Sequence, residues 1–362
     1  MFYHFLYPLS DAFSFFNLFR YITFRAAGAS VTAFLISMLL GPLVIRCLKE
    51  INATAHNRRE HAASIHGFYS QKDNIPTMGG LLIVLSVVIS VLMWSNLTNT
   101  YILILLSTII WFGAVGFVDD LLKLASKSSK GLSSATKICG QILAGLTIGI
   151  YLFHDPKFEV VLHLPFFKQG VIYLGFFFVP FVIFILVGSS NALNLTYGLD
   201  GLAIGCTLFT AGAFAVISYV VGRVDFAAYL GVPYVAQGGE ITIFCSALVG
   251  ASAGFLWYNS FPAEVMMGDT GSLSLGGAIG AVAILLKKEI VLAIVGGIFV
   301  WEALSVILQV ASFKMFKRRI FLMSPFHHHL QLKGWPESKV TIRFWIIAFI
   351  LAVIGLSTLK VR

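Results

Sequence analysis

YILILLSTIIWFGAVGFVDDLLK, residues 101–123, is the stretch that decides the fold. Residues 101–118 carry no charge, and Asp119, Asp120 and Lys123 follow at once. A hydrocarbon core of ~30 Å takes about 20 apolar residues in a helix, so this run reads as a membrane span with acids at one end. Working outward, similar runs lie near 27–48, 77–95, 138–153, 171–189, 201–221, 241–258, 273–286, 290–312 and 342–360. With 101–118 they make ten. Segments of about ten residues with alternating hydropathy, which a membrane β-barrel requires, are absent.

Composition agrees. Of 362 residues, 58% are hydrophobic and 11% charged, and the mean hydropathy is +0.89. A soluble domain carries about 25% charged residues. The fold class expected is therefore all-α, a polytopic membrane protein with about ten transmembrane helices. The connections are too short for a second unit, so residues 1–362 read as one transmembrane helical domain. No basic segment and small-residue cleavage site frame the first apolar run, so it reads as a retained helix and not a signal peptide. Cys47, Cys139, Cys206 and Cys245 fall in expected helices without metal-like spacing, and read as small apolar fillers.

The net charge of +9 raises nucleic acid as a partner, but the basic residues flank the spans. The loops at 49–75, 119–137, 190–200, 259–272 and 313–343 hold 15 Lys and Arg, against five in the alternate loops. Positive residues accumulate on the cytoplasmic side. Those five loops are expected there, both termini in the periplasm, and nucleic acid is not expected.

The same loops collect the polar residues. Asp119 and Asp120 end GFVDDLLK, Asp200 lies in NALNLTYGLDGLA with Asn191 and Asn194, and Asp269 lies in VMMGDTGSL ten residues after Asn259. Lys72 precedes PTMGG (76–80), which contains Thr77; Lys123, Lys127, Lys130 and Lys137 follow the paired acids; His327, His328 and His329 lie in the ninth loop. Charge at the edge of hydrocarbon is costly and points to function. Carboxylates in this number suggest a divalent cation such as Mg²⁺, which takes one or two of them and fills its remaining positions with substrate phosphate and water. Lysines and Gly-rich turns supply phosphate contacts. The combination fits phosphoryl transfer, which depends on positioning and charge neutralisation.

Blander readings compete. Paired acids at a helix end are commonly just solvated, and lysines beyond them can serve topology alone. Gly276 and Gly280 are better explained by close helix packing. Consecutive histidines on a helix point about 100° apart, so three cannot face one ion. Glu302, inside the ninth span, reads as a polar contact within the bundle.

PTMGG, GFVDD, NALNLTYGLDGLA, FLWYNSFPAEVMMGDTGSL and SPFHHHLQLKGWPE, in that order, resemble the phospho-N-acetylmuramoyl-pentapeptide transferase (translocase I) family, a branch of the polyprenyl-phosphate N-acetylhexosamine-1-phosphate transferases. The likeness runs from about residue 17 to the end. The resemblance implies a Mg²⁺-dependent reaction at the cytoplasmic face of the bacterial inner membrane. UDP-N-acetylmuramoyl-pentapeptide and undecaprenyl phosphate would give UMP and lipid I. It implies Asp269 as the metal ligand, with Asp119 and Asp120 orienting or deprotonating the lipid phosphate. Lys123, Lys127, Lys137 and the catalytic-site histidines His327, His328 and His329 would hold phosphates. Lys72, Thr77, Asn191, Asn194, Asp200, Asn259 and Met266 would line the substrate, and family members are often homodimers.

Four departures stand out. Tyr197 occupies a position usually Asp, and Met266 one usually Phe, where the aromatic ring would stack on uracil. Asp73-Asn74-Ile75 before PTMGG and Gln331 after the histidines are smaller differences. The rival readings are a sibling enzyme using UDP-N-acetylglucosamine, a secondary transporter and an inactive scaffold. The sibling should lack the triple histidine, and a transporter should show paired repeats with a midplane site.

Overall fold

A computed structural model describes residues 1–11, 13–51, 53, 75–126, 131–167 and 170–360. The elements in chain order are α1 Phe2–Leu6, α2 Ile22–Glu50, α3 Gly80–Trp94, α4 Thr100–Ser126 and α5 Ser134–His154. A hairpin of β1 Val161–His163 and β2 Val171–Tyr173 follows, then α6 Phe178–Thr196, α7 Leu202–Val221, α8 Val224–Leu230 and α9 Gly238–Asn259. The last are α10 Gly268–Leu285, α11 Glu289–Val295, α12 Gly297–Phe316, α13 Phe326–Leu332 and α14 Glu337–Ser357. Among the described residues nine helices are long and apolar enough to cross a membrane, and α3 is a shorter apolar one. The chain is an all-α, multi-pass membrane protein.

The expected spans are present with three adjustments. Residues 171–173 pair with 161–163 as an antiparallel hairpin before the fifth span, so that span begins later than 171. A short apolar run does not by itself separate strand from helix. The ninth span breaks at Gly296 into α11 and α12; glycine there costs helix about 1 kcal/mol relative to alanine. The eighth span, short by hydropathy, gains its first turn from the polar residues Gly268–Ser272.

α10 is the axis of the bundle, buried at every position from Gly268 to Leu285. Its small residues let neighbours come close, as they do between helices in lipid. A Cβ on Gly80 of α3 would collide with the Gly271 backbone, and one on Gly116 of α4 with the Asp269 backbone. Gly276 lies against the Ser189–Ser190 backbone of α6 and Gly280 against Ser189 Oγ, the packing role read for both. Those approaches bring the C-terminal ends of α4 and α6 to the N-terminus of α10. At the opposite end Arg25 of α2 grips Glu240 of α9 through two bonds of 2.9 and 2.6 Å.

Candidate active site

Asp119 and Asp120 lie in the last turns of α4, not beyond it, and both are buried. Asp120 acts on α10: its carboxylate accepts from Asp269 N (3.1 Å), Thr270 N (2.9 Å) and Thr270 Oγ1 (2.7 Å). The first N–H groups of a helix have no partner within it, and Asp120 supplies from α4 what a capping side chain would. Gly268, at φ +74°, makes the turn, and a Cβ there would meet Asp120 Oδ2 at 2.7 Å.

Asp119 faces the other way. Its Oδ1 accepts from Leu132 N at 2.7 Å, in the loop before α5, and a Cβ on Gly131 would collide with it. Ser133 caps α5 by accepting from Thr136 N at 3.1 Å, which directs Lys137, one turn into the helix, at the acids. Lys137 Nζ lies 3.0 Å from Asp119 Oδ2 and 2.6 Å from Asp269 Oδ2. Lys123 Nζ, one turn beyond Asp119, lies 2.6 Å from Asp119 Oδ2 and 3.0 Å from Asp269 Oδ2. Asn194 of α6 donates to Asp269 Oδ1 at 3.0 Å and to Ser272 Oγ at 2.8 Å.

Among the described residues three carboxylates therefore meet two ammonium groups, and one oxygen from each acid lies within 4.8 Å of the others. A buried charge left unmatched is expensive. A hard-oxygen donor set that carries, among the described residues, one surplus formal negative charge could hold a metal ion, and it fits the oxygen preference of Mg²⁺.

Other expected site residues form two neighbouring groups. Asp200 Oδ2 accepts from Ala263 N at 3.1 Å, its N–H donates to Glu337 Oε1 at 2.7 Å, and Asn259 bridges Gly201 N (3.2 Å) and Val265 O (2.8 Å). These brace the loop 260–267 that leads into α10. Met266 is buried in that loop, its N–H donating to Pro76 O at 2.8 Å while Gly79 N donates to Met266 O at 2.9 Å, so PTMGG lies alongside it. Thr77 is half-buried beside them. Asn191 instead donates to Gln141 Oε1 of α5 at 2.7 Å and Val187 O at 2.8 Å. Tyr197 and Asp200 do not share a helical face, because α6 ends at Thr196 and Tyr197 is extended (φ −74°, ψ 93°).

The histidines separate in role. His327, fully buried, donates its N–H to Glu302 Oε1 at 3.2 Å, with Nδ1 3.2 Å from Oε2. His328 Nδ1 pairs with Gln331 Oε1 at 2.8 Å. His329 Nδ1 accepts from Leu322 N at 3.1 Å, and partial burial, then Lys333, holds its imidazole below the usual pKa. Lys72 and Lys127, both expected at the site, lie outside the described residues.

Sequence reasoning missed Thr270, Ser272 and Glu337 as partners; Glu302 is a polar contact within the bundle, as its place inside a span indicated, but its partner His327 went unread. It also missed an apolar groove of ≈340 Å³ between α6, α10 and α12, lined by Phe184, Ala192, Ile279, Phe299, Ala303 and Ile307 among others.

Comparison with known proteins bears on this geometry. The family model described as Glycosyl transferase family 4 matches residues 102–287, the segment carrying all three acids and both lysines. Phospho-N-acetylmuramoyl-pentapeptide-transferases are similar over the full length of both chains: 49% identical in Geobacter sp. strain M21, 50% in Thermodesulfovibrio yellowstonii and 51% in Granulibacter bethesdensis. The chain belongs to the phospho-N-acetylmuramoyl-pentapeptide-transferase family. It is thereby a phosphoglycosyl transferase. The sibling, transporter and scaffold readings fall away.

Proposed function

We propose that the chain transfers phospho-N-acetylmuramoyl-pentapeptide from its UDP-linked precursor to undecaprenyl phosphate, the first membrane step of peptidoglycan synthesis. An oxygen of the lipid phosphate attacks the phosphorus that bears the sugar. The bond from that phosphorus to the UMP oxygen breaks, and lipid I forms. The observation that carries this reading is the buried Asp119–Asp120–Asp269 cluster held by Lys123 and Lys137 at one end of an apolar bundle.

Asp269, with Asp119 beside it, is the pair suited to hold Mg²⁺, which when bound would neutralise charge on the substrate phosphates. Asp119 orients the acceptor phosphate; a phosphate is already mostly ionised near neutral pH, so positioning matters more than proton removal. In this reading Lys123, Lys127 and Lys137, with His328 and His329, hold phosphate oxygens, Lys123 and Lys137 turning to them from the acids, while His327 faces the nucleotide-linked substrate. Asn194, Asp200, Asn259, Lys72, Thr77 and Met266 form the nucleotide side. The groove beside α6 and α12 suits the hydrocarbon of the lipid acceptor, since its walls are almost wholly apolar.

In this reading the acid end faces the cytoplasm of a bacterial inner membrane and both termini face the periplasm. The 15-to-5 distribution of Lys and Arg supports that orientation. The whole chain acts as one domain, and a homodimer is its expected assembly.

A radiolabel assay tests the reading. Purified protein with Mg²⁺ and undecaprenyl phosphate should make lipid-linked product from UDP-N-acetylmuramoyl-pentapeptide, and none from UDP-N-acetylglucosamine. The reverse preference would overturn the assignment. An impermeant thiol reagent should leave a cysteine placed at Lys333 unlabelled in intact cells; labelling there would invert the topology.

A further inference from the structure

Glu302 is an acid in the interior of α12, fully buried, with no contact to the carboxylate cluster. An acid in that position is expensive and conventionally has a task. Its two oxygens are divided between two donors of one residue: Oε1 takes the His327 N–H and Oε2 faces His327 Nδ1, each at 3.2 Å. Because a carboxylate offers only acceptors, Nδ1 carries the proton and the lone pair of the neutral ring falls on Nε2.

That second nitrogen is buried and has no hydrogen-bond partner among the described residues. Leaving a buried polar atom unmatched costs about 1–3 kcal/mol, and such an atom in a folded protein calls for a reason. Nε2 points at Gly198, where a Cβ would collide with it. Gly198 lies in the turn after α6, between Asn194, which holds Asp269, and Asp200, which braces the loop into α10. Three elements thus converge: Glu302 from α12, His327 from α13 and the 197–200 turn.

The geometry points to Glu302 as a positioning residue that fixes the ring and tautomer of His327, so that Nε2 serves as a hydrogen-bond acceptor for an N–H or O–H of the nucleotide-linked substrate at the Tyr197–Gly198 turn. This rests on the transferase reading above. Gly198 is the residue type that fits directly against Nε2; a side chain there would displace the ring.

Glu302→Gln tests it. The amide can still accept from the His327 N–H, but it then presents an NH₂ to Nδ1, which forces the ring to accept there and to carry its proton on Nε2. The acceptor becomes a donor with little change in volume. kcat/KM should fall roughly 10–100-fold, by analogy with the loss of a partner that orients a metal-ligating histidine, with the melting temperature within a few degrees of wild type. In a His327→Asn background, where Nδ2 keeps the bond to Glu302 and Nε2 is gone, adding Glu302→Gln should cost less than about two-fold more.

A Glu302→Gln enzyme with wild-type kcat/KM overturns the proposal, as does a loss that multiplies fully with that of His327→Asn. If Glu302→Gln does not yield folded protein, His327→Asn alone decides. Lost turnover at an unchanged melting temperature supports the role, and normal turnover sinks it. The unmodified enzyme, run in parallel, separates the two readings: no product from it defeats the transferase assignment, whereas product from it with an unaffected Glu302→Gln defeats only the role of Glu302.

Discussion

Each end of the bundle buries ionic groups, and the two differ in how the charges match. Near the N-terminus of α2, Arg25 meets Glu240 one to one, through both carboxylate oxygens, and Glu240 also accepts from Asn96 N at 2.9 Å. The Arg25 guanidinium further lies 4.5 Å from the Tyr3 ring centroid. Within that pair each charge has its counterpart, and the planar fork suits the carboxylate. At the other end, among the described residues, three acids share two lysines, and both lysines crowd onto one oxygen of Asp269. A matched pair closes a structure. On the proposed reading, an unmatched cluster of ammonium groups over carboxylates is poised to exchange partners when phosphate arrives.

The sharpest way to break this contrast is Asp269→Asn. A neutral amide is a weaker ligand for a hard cation, and removing a group used in the transition state costs about 10²–10³ in rate. We expect turnover to fall by that much in the lipid-product assay while the protein still purifies folded. Near-normal turnover at limiting Mg²⁺ would show that the surplus charge has nothing to do with an ion.

Asp119→Asn and Asp120→Asn should differ in kind. Asp120 takes three hydrogen bonds from the start of α10, so its amide should lower the melting temperature as well as the rate. Charge-assisted bonds of that sort are worth about 1.5–3 kcal/mol each. Asp119 meets the lysines and Leu132 N, so its amide should lower the rate, by roughly ten-fold or more, with little effect on melting. Thermal shift and turnover measured on the same preparations separate the two; identical behaviour would undo the distinction.

Arg25→Leu probes the matched end. Removing one partner of a buried pair costs about 3–5 kcal/mol, toward the low side here because the Glu240 side chain keeps 13% exposure. The expected result is a lower melting temperature with turnover per folded molecule unchanged. A large fall in kcat without thermal loss would mean that the far end takes part in the chemistry.

Much of this was legible in the residues. The spans follow from uncharged runs such as 101–118, and the convergence of Asp119, Asp120 and Asp269 follows from alternating connections that return the acids to one surface. Hydropathy trimmed the helices where they matter most. Asp120, Asn194 and Gly268–Ser272 belong to helix ends, yet read as loop because the site's polar residues occupy those turns. The Glu302–His327 contact joins residues 25 apart through the turn of α12 into α13, a distance no local periodicity reports. Gly296 broke a span that hydropathy joined, because apolar residues on both sides hide a break in backbone direction.

Tyr197 carries the smallest expected effect. The resemblance places a carboxylate at this position, facing the nucleotide with Asp200. In the structure α6 ends at Thr196, Tyr197 is its extended C-terminal cap, and the ring packs against the core while the Asp200 carboxylate takes Ala263 N. Two opposed terms then act on Tyr197→Asp. A carboxylate offers the nucleotide-linked substrate a charged acceptor in place of a phenol. It also sets a negative charge at a helix C-terminus, which costs about 0.3–1 kcal/mol, and gives up aromatic packing. Binding should gain and stability should lose: KM for the UDP-linked substrate should fall roughly five-fold, near 1 kcal/mol, with kcat little changed and the melting temperature a few degrees lower. Measured under identical detergent and Mg²⁺ conditions, a higher KM would show instead that the phenol is adapted to this chain's own pocket and that the turn after α6 binds substrate differently here than in its relatives.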